Sequence, residues 1–286
     1  MKSINGGILG VSNMSGSCQH GEVRKQGDRF VCAQCGGDPD LPGPTASAVA
    51  WRMDPQDWLH LGVGGVIALI LFLFGGFPGM VLSILKTLVH ETGHAAAGWL
   101  VGRPSMPRFD FQYGGGFTTI CGQSPFLIAV WGLVWVGILI QFRDRRWWPW
   151  AWGLLGLQAL LTFTGLNEPF FVVAGHLGEL IFAGIFLFRA ATGMAVVQQG
   201  EAWLYSILGW GIWIQSIYLA WAVLYDAEIR EFYLQGKRGV DNDLVQLAQN
   251  LPGQLSGACV LHLLAGAATI ALMLFLAGRW KARAEE

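Results

Sequence analysis

Five consecutive residues, His90-Glu91-Thr92-Gly93-His94, form an H-E-x-x-H pattern inside an apolar run from Gly79 to Val101. On a helix, positions i and i+4 share a face, so His90 and His94 can both reach one metal ion. Glu91 sits beside them, placed to handle the proton of a water on that ion. The plainer alternative is two helix-face histidines tied up in polar contacts. That alternative weakens in a lipid-embedded helix, where ionisable groups are costly and usually functional. Two histidines are too few for a catalytic zinc, which takes three protein ligands and a water. The best remaining candidates stand in Gly175-His176-Leu177-Gly178-Glu179. His176 and Glu179 are i and i+3 neighbours on one helix face. Glu179 is the expected third ligand. His176 is a fourth ligand, an oxyanion stabiliser or a partner that orients a ligand. A polar pair that joins helices is the plainer reading of these two.

Small residues flank both groups. Gly93, Ala95, Ala96, Ala97 and Gly98 surround the first, and Gly175 and Gly178 the second. Such residues let two helices approach closely enough to share a metal. Lys86, one turn before His90, either snorkels or faces a wet cavity. His60 and His262 are lone histidines and are expected to be structural. Asn167-Glu168-Pro169 reads as an N-cap with proline in the first turn.

The positioning elements must be membrane helices. Of the 286 residues, 53% are hydrophobic and 13% charged, and the mean hydropathy is +0.45. That composition points to a polytopic membrane protein. Apolar runs of spanning length lie at about 58–77, 79–101, 125–142, 147–165, 169–189, 203–225 and 256–278, which predicts seven crossings in an all-α membrane domain over 57–286. The 14 Trp suit membrane–water interfaces. Ile4 to Val11 is too short and glycine-rich for a signal peptide, so the first spanning helix is expected to direct insertion. A net charge of −1 and the absence of a basic tract speak against nucleic-acid binding.

Orientation rests on Lys/Arg placement. Ten lie in the N-terminal region, 102–124 and 226–255, against seven on the other side. This favours a cytoplasmic N-terminus, although Arg143, Arg145, Arg146 and the C-terminal charges, closest to helix ends, point the other way. The expected location is the bacterial inner membrane.

Residues 1–37 differ in kind. They are polar and hold Cys18, His20, Cys32 and Cys35, the last two with the C-x2-C spacing of structural zinc sites. A segment this small cannot bury a core, so a second, structural zinc would fold it as a ribbon-like knot. A redox C-x-x-C or an untied tail are the alternatives. The knot is also a candidate docking point for a protein partner. Residues 38–56 read as a linker.

Two further segments are not membrane helices. In 102–124, alternating aromatics from Phe109 to Tyr113 precede Gly114-Gly115-Gly116, which predicts a β-hairpin or re-entrant element after the second helix. In 226–255, Asp241 to Asn250 reads as a short amphipathic surface helix without chemistry.

His90-Glu91-Thr92-Gly93-His94, the run Ala95-Ala96-Ala97-Gly98 and the stretch from Gly102 to Gly116 together resemble the site-2 protease class of intramembrane zinc metallopeptidases. The resemblance covers roughly residues 79–120. It implies a zinc-activated water, Glu91 as general base, and peptide-bond hydrolysis in membrane proteins or peptides. It also implies a membrane-associated β element after the metal-binding helix. The family's third ligand is an Asp in an Asp-Gly type motif on a later helix. No such motif stands here, and Glu179 is expected in its place. His90 lies about 16 Å along its helix from Gly79, near mid-membrane. An extended strand around Phe109–Phe117 could accept an unwound substrate by edge pairing.

Two rival classes remain. Glu91-x-x-His94 also has the E-x-x-H spacing of di-iron carboxylate proteins, and with His90, His176 and Glu179 could serve a membrane-bound non-hydrolytic metal protein or oxidoreductase. Such sites use more carboxylates than are available here. An inactive scaffold that binds partners through the N-terminal knot is the third reading.

Overall fold

The structure, a computed structural model, describes residues 23–26, 29–32, 52–110, 115–141, 147–236, 242–249 and 254–284. The chain divides into two compact units, residues 1–50 and 51–286. In the first, β1 (Val23–Gln26) pairs antiparallel with β2 (Arg29–Cys32), Val23 opposite Cys32. Of the four expected knot ligands, Cys18, His20 and Cys35 lie outside the described residues, as does most of the expected linker.

The second unit is helical apart from one hairpin. In chain order it contains α1 (Pro55–Phe74), α2 (Gly76–Leu100), β3 (Ser105–Asp110), β4 (Gly115–Ile120), α3 (Pro125–Gln141), α4 (Trp148–Phe163) and α5 (Asn167–Thr192). Then follow α6 (Gln199–Tyr225), α7 (Ala227–Leu234), α8 (Asp243–Gln249) and α9 (Gln254–Ala284). Each of the seven apolar runs is a helix. Four helices, α1, α5, α6 and α9, are long and apolar enough to cross a membrane. Helix α2 stands apart because Lys86, His90, Glu91 and His94 dilute its apolar character. Helices α3 and α4 have only 17 and 16 residues, fewer than the roughly 20 a helix needs to cross hydrocarbon unaided.

The apolar surface identifies the solvent. Helix α3 buries none of its residues although it is almost wholly apolar; Phe126 is 78% and Leu133 73% exposed. A water-soluble chain does not present an apolar surface of that extent. A lipid environment accounts for it, as in an integral membrane protein.

Helix α5 is the centre of the unit. It buries twelve residues along its length and packs against α2, α6, α8 and α9. Leu61 of α1, Leu187, Ala190 and Ala191 of α5, and Met273 and Ala277 of α9 form one apolar cluster. At the edge of that cluster Lys281 Nζ lies 2.6 Å from Asp57 Oδ1, tying the end of α9 to the start of α1. Helix α5 begins at Asn167 with Leu166 as its cap, one residue earlier than the expected Asn167 cap. Between α2 and α3 the expected hairpin is present. Strands β3 and β4 pair antiparallel, with Arg108 opposite Phe117 and Phe109 opposite Gly116. Residues 111–114 lie outside the described residues.

Candidate metal centre

The centre lies where α2 crosses α5, and small residues make the crossing close. A Cβ on Gly178 would sit 2.9 Å from Gly93 Cα, and one on Gly175 would sit 2.4 Å from His94 Nε2 and 2.6 Å from His90 Nε2. Real Cβ atoms do not approach that closely, so a side chain at Gly178 would push the two backbones apart and one at Gly175 would displace the histidine rings. The clusters of small residues noted in the sequence thus have a packing reason.

Three donor atoms converge at this crossing. His90 Nε2 and His94 Nε2 are 3.1 Å apart. Asp243 Oδ2, from the start of α8, lies 2.8 Å from the first and 3.0 Å from the second. The other nitrogen of each ring is already engaged. His90 Nδ1 lies 2.7 Å from Glu179 Oε1, and His94 Nδ1 lies 2.7 Å from the Phe171 carbonyl oxygen. Both of those oxygens accept, so in each neutral ring the proton belongs on Nδ1 and the Nε2 lone pair is bare.

Two such nitrogens and a carboxylate oxygen at 2.8–3.1 Å are held together either by a proton on Nε2 or by a metal cation between them. A tetrahedral zinc with bonds of about 2.0–2.1 Å holds its donors about 3.3 Å apart. The three atoms therefore fit such an ion after a small outward shift. They would hold it as a two-His, one-Asp set with a fourth position for water.

Glu179 occupies a different place from the one expected. Its Oε1 meets the outer nitrogen of His90 and not the pair of Nε2 atoms, the place of a group that would orient a ligand. Its side chain is 1% exposed, and Lys86 Nζ lies 3.3 Å from its Oε1. Lys86 therefore faces inward and balances a buried carboxylate. His176, on the same face of α5, has its ring centroid 4.9 Å from that of His90. One of its ring nitrogens comes within 4.8 Å of donor atoms of His90 and Asp243.

Glu91 is positioned by the hairpin. Thr118 Oγ on β4 lies 2.7 Å from Glu91 Oε2. A Cβ on Gly116 would sit 2.5 Å from Glu91 Cγ, so any larger residue there would displace the Glu91 side chain. The carboxylate is buried, 7% exposed, beside His90 and held by one hydroxyl.

Asp243 is the functional residue that sequence reasoning missed. The amphipathic helix expected over 241–250 is present as α8, and its first residue stands at the candidate centre. Leu244 is 1% exposed and packs with Val223, Ala258 and Cys259, with Leu247 and Ala248 beside it. Asp243 is four residues before Leu247 and shares that inward face. The apolar face of the helix was therefore the available signal. Asn242 Nδ2 donates to the Tyr233 carbonyl at 2.6 Å, fixing the start of α8 against α7. Burial pushes the Asp243 carboxyl up. Its hydrogen bonds to His90 and His94 outweigh that and hold it well below the usual carboxylate range.

Of the two histidines expected to be structural, His60 packs edge-on against Trp203. His262 instead lies edge-on to His176, ring centroids 4.7 Å apart. No family model, curated protein or solved structure matches the chain.

Proposed function

We propose that this chain is a membrane-embedded zinc metallopeptidase that hydrolyses peptide bonds of membrane proteins or peptides. The convergence of His90 Nε2, His94 Nε2 and Asp243 Oδ2, with both outer nitrogens anchored, carries the reading. A bound zinc would supply a Lewis acid that makes water nucleophilic at neutral pH. Glu91 takes a proton from the attacking water and returns it to the leaving amine. Glu179 and the Phe171 carbonyl keep the two imidazoles in the tautomer that presents Nε2.

The hairpin supports the peptide reading. Strand β4 both holds Glu91 through Thr118 and offers extended backbone next to it. An unwound substrate segment would pair along that hairpin and meet the centre in extended form. The arrangement also fits the resemblance to site-2 proteases, with Asp243 taking the part of the aspartate ligand without the Asp-Gly motif. In this reading all seven long apolar segments cross the membrane, α4 with help from its Trp-rich start. The N-terminus is cytoplasmic, the membrane is a bacterial inner membrane, and Cys18, His20, Cys32 and Cys35 bind a structural zinc in a knot that docks a partner.

The test is Glu91→Gln in the full-length protein, assayed with a transmembrane reporter and with elemental analysis. Cleavage should fall by roughly 10²–10⁴-fold, the usual contribution of a general base, while zinc content stays unchanged. Undiminished cleavage by that variant would overturn the reading, and iron in place of zinc would favour the oxidoreductase class.

A further inference from the structure

A second donor group stands on the other side of Glu179. His176 and Glu179 of α5 and His262 of α9 are 6%, 1% and 7% exposed. One ligand atom from each lies within 4.8 Å of the other two. Buried polar atoms are normally hydrogen-bonded. Here both ring nitrogens of His176 and Oε2 of Glu179 have no hydrogen-bond partner among the described residues. His176 Nδ1 and Glu179 Oε2 are 3.7 Å apart. That is too long for a hydrogen bond but close to the separation of two donors that share one ion, about 3.3 Å.

The surroundings orient two members of this group. His262 Nε2 lies 2.9 Å from Ser216 Oγ on α6, which engages one nitrogen of that ring and leaves Nδ1 for another partner. Glu179 Oε1 is engaged by His90 Nδ1 and Lys86, so Oε2 is the oxygen left over. Two helices, α6 through Ser216 and α2 through His90 and Lys86, therefore fix the outer sides of two of the three donors, as hydrogen-bonded partners do around metal ligands.

We propose that His176, Glu179 and His262 bind a second divalent transition ion, zinc in the first instance, beside the ion held by His90, His94 and Asp243. Two imidazoles and one carboxylate are a donor set that suits zinc. Glu179 then belongs to both centres: Oε1 orients His90, and Oε2 ligates the second ion. Lys86 is the built-in competitor. Its ammonium neutralises the same carboxylate and repels an incoming cation, so it must swing aside when the second ion enters. The second ion is accordingly the more weakly held.

Zinc per chain decides the matter in the full-length protein, purified in detergent, loaded with zinc and desalted. The N-terminal cysteines are common to all variants, so differences are read rather than totals. Asp243→Ala and His262→Ala should each hold one zinc fewer than the parent, and the double variant two fewer. Lys86→Met should keep the full count and bind its weaker zinc about tenfold tighter in competition with a chromophoric chelator, since a repelling charge is gone. A gain in affinity is not an effect of misfolding. His176→Gln and His262→Gln serve as milder substitutions and should show the same loss of one zinc. Equal zinc in the parent, His262→Ala and His262→Gln, with no tightening in Lys86→Met, overturns the second site. That result leaves the hydrolase reading untouched, because cleavage by the first centre is measured separately with the Glu91→Gln pair.

Discussion

The two histidine groups flanking Glu179 are alike in composition and unlike in preparation. In the first, each ring has its outer nitrogen 2.7 Å from an oxygen, one a carboxylate and one a backbone carbonyl. In the second, His262 is held by Ser216 but His176 has neither nitrogen engaged. A ligand whose ring is already oriented loses less freedom on binding, so on our proposal the first centre would hold its ion more tightly than the second. Glu179, nearly without exposure, is the one residue they share. The lesson is that the count of ligating side chains does not rank two sites; the partners behind those side chains do.

The strongest way to break this comparison is at the ligand unique to the first centre. Asp243→Ala should abolish reporter cleavage and lose the tightly held zinc, because it removes one of three donors. Glu179→Gln should be milder at that centre. It keeps an oxygen near His90 Nδ1 but removes the charge, and changes to such outer partners cost roughly 10–100-fold in metal affinity or activity. Chelator titration of the two variants side by side checks the ranking. If Glu179→Gln loses the tight zinc as completely as Asp243→Ala, Glu179 is a ligand and not an orienting group.

A smaller effect is expected where the hairpin meets Glu91. Thr118→Val removes the hydroxyl that lies 2.7 Å from the Glu91 carboxylate. A hydrogen bond to a charged group is worth about 1.5–3 kcal/mol. Part of it is recovered when the carboxylate finds water, so cleavage should fall about tenfold. Zinc content should not change, since Thr118 touches no ligand. Steady-state cleavage with parallel elemental analysis separates this positioning role from a loss of metal.

The shared face of His90 and His94 and the hairpin after them were legible in the sequence because they are local. A four-residue spacing fixes a helix face, and a glycine-rich stretch marks the hairpin, although Gly115 and Gly116 open β4 rather than making its turn. The partnership of α2 with α5 was legible too, through Gly93, Gly175 and Gly178. Asp243 was not, because it lies 149 residues from His94 in a seven-residue helix, and only the fold says which way that helix faces. His176 and Glu179 do meet α2 at His90, but spacing alone cannot say which nitrogen of His90 a carboxylate meets. His262 was dismissed as isolated because its neighbours, Ser216 and His176, come from other helices. The number of crossings was the least legible feature, since apolar length alone cannot separate a full span from a short helix such as α4.

The smallest expected effects sharpen a second contrast, between the α2–α5 crossing and the lipid-facing helices. Gly178 and Gly153 are both helical glycines, and by propensity alone each should gain about 0.5–1 kcal/mol on replacement by alanine. Their surroundings reverse the order. A Cβ on Gly178 meets Gly93 Cα at 2.9 Å and the Val89 carbonyl at 3.0 Å, both backbone atoms that cannot rotate away. Gly153 has nothing within 4 Å of the same added atom. Gly178→Ala should therefore be destabilising, by about 1–3 kcal/mol as for other overpacked cores, and should loosen zinc because α2 moves off α5. Gly153→Ala should be neutral or slightly stabilising, with zinc unaffected. Thermal unfolding in one detergent, followed with and without added zinc, measures both. Equal behaviour of the two would mean that the crossing yields as easily as the lipid-facing surface. The close approach of α2 and α5 would then no longer explain why the metal ligands stand where they do.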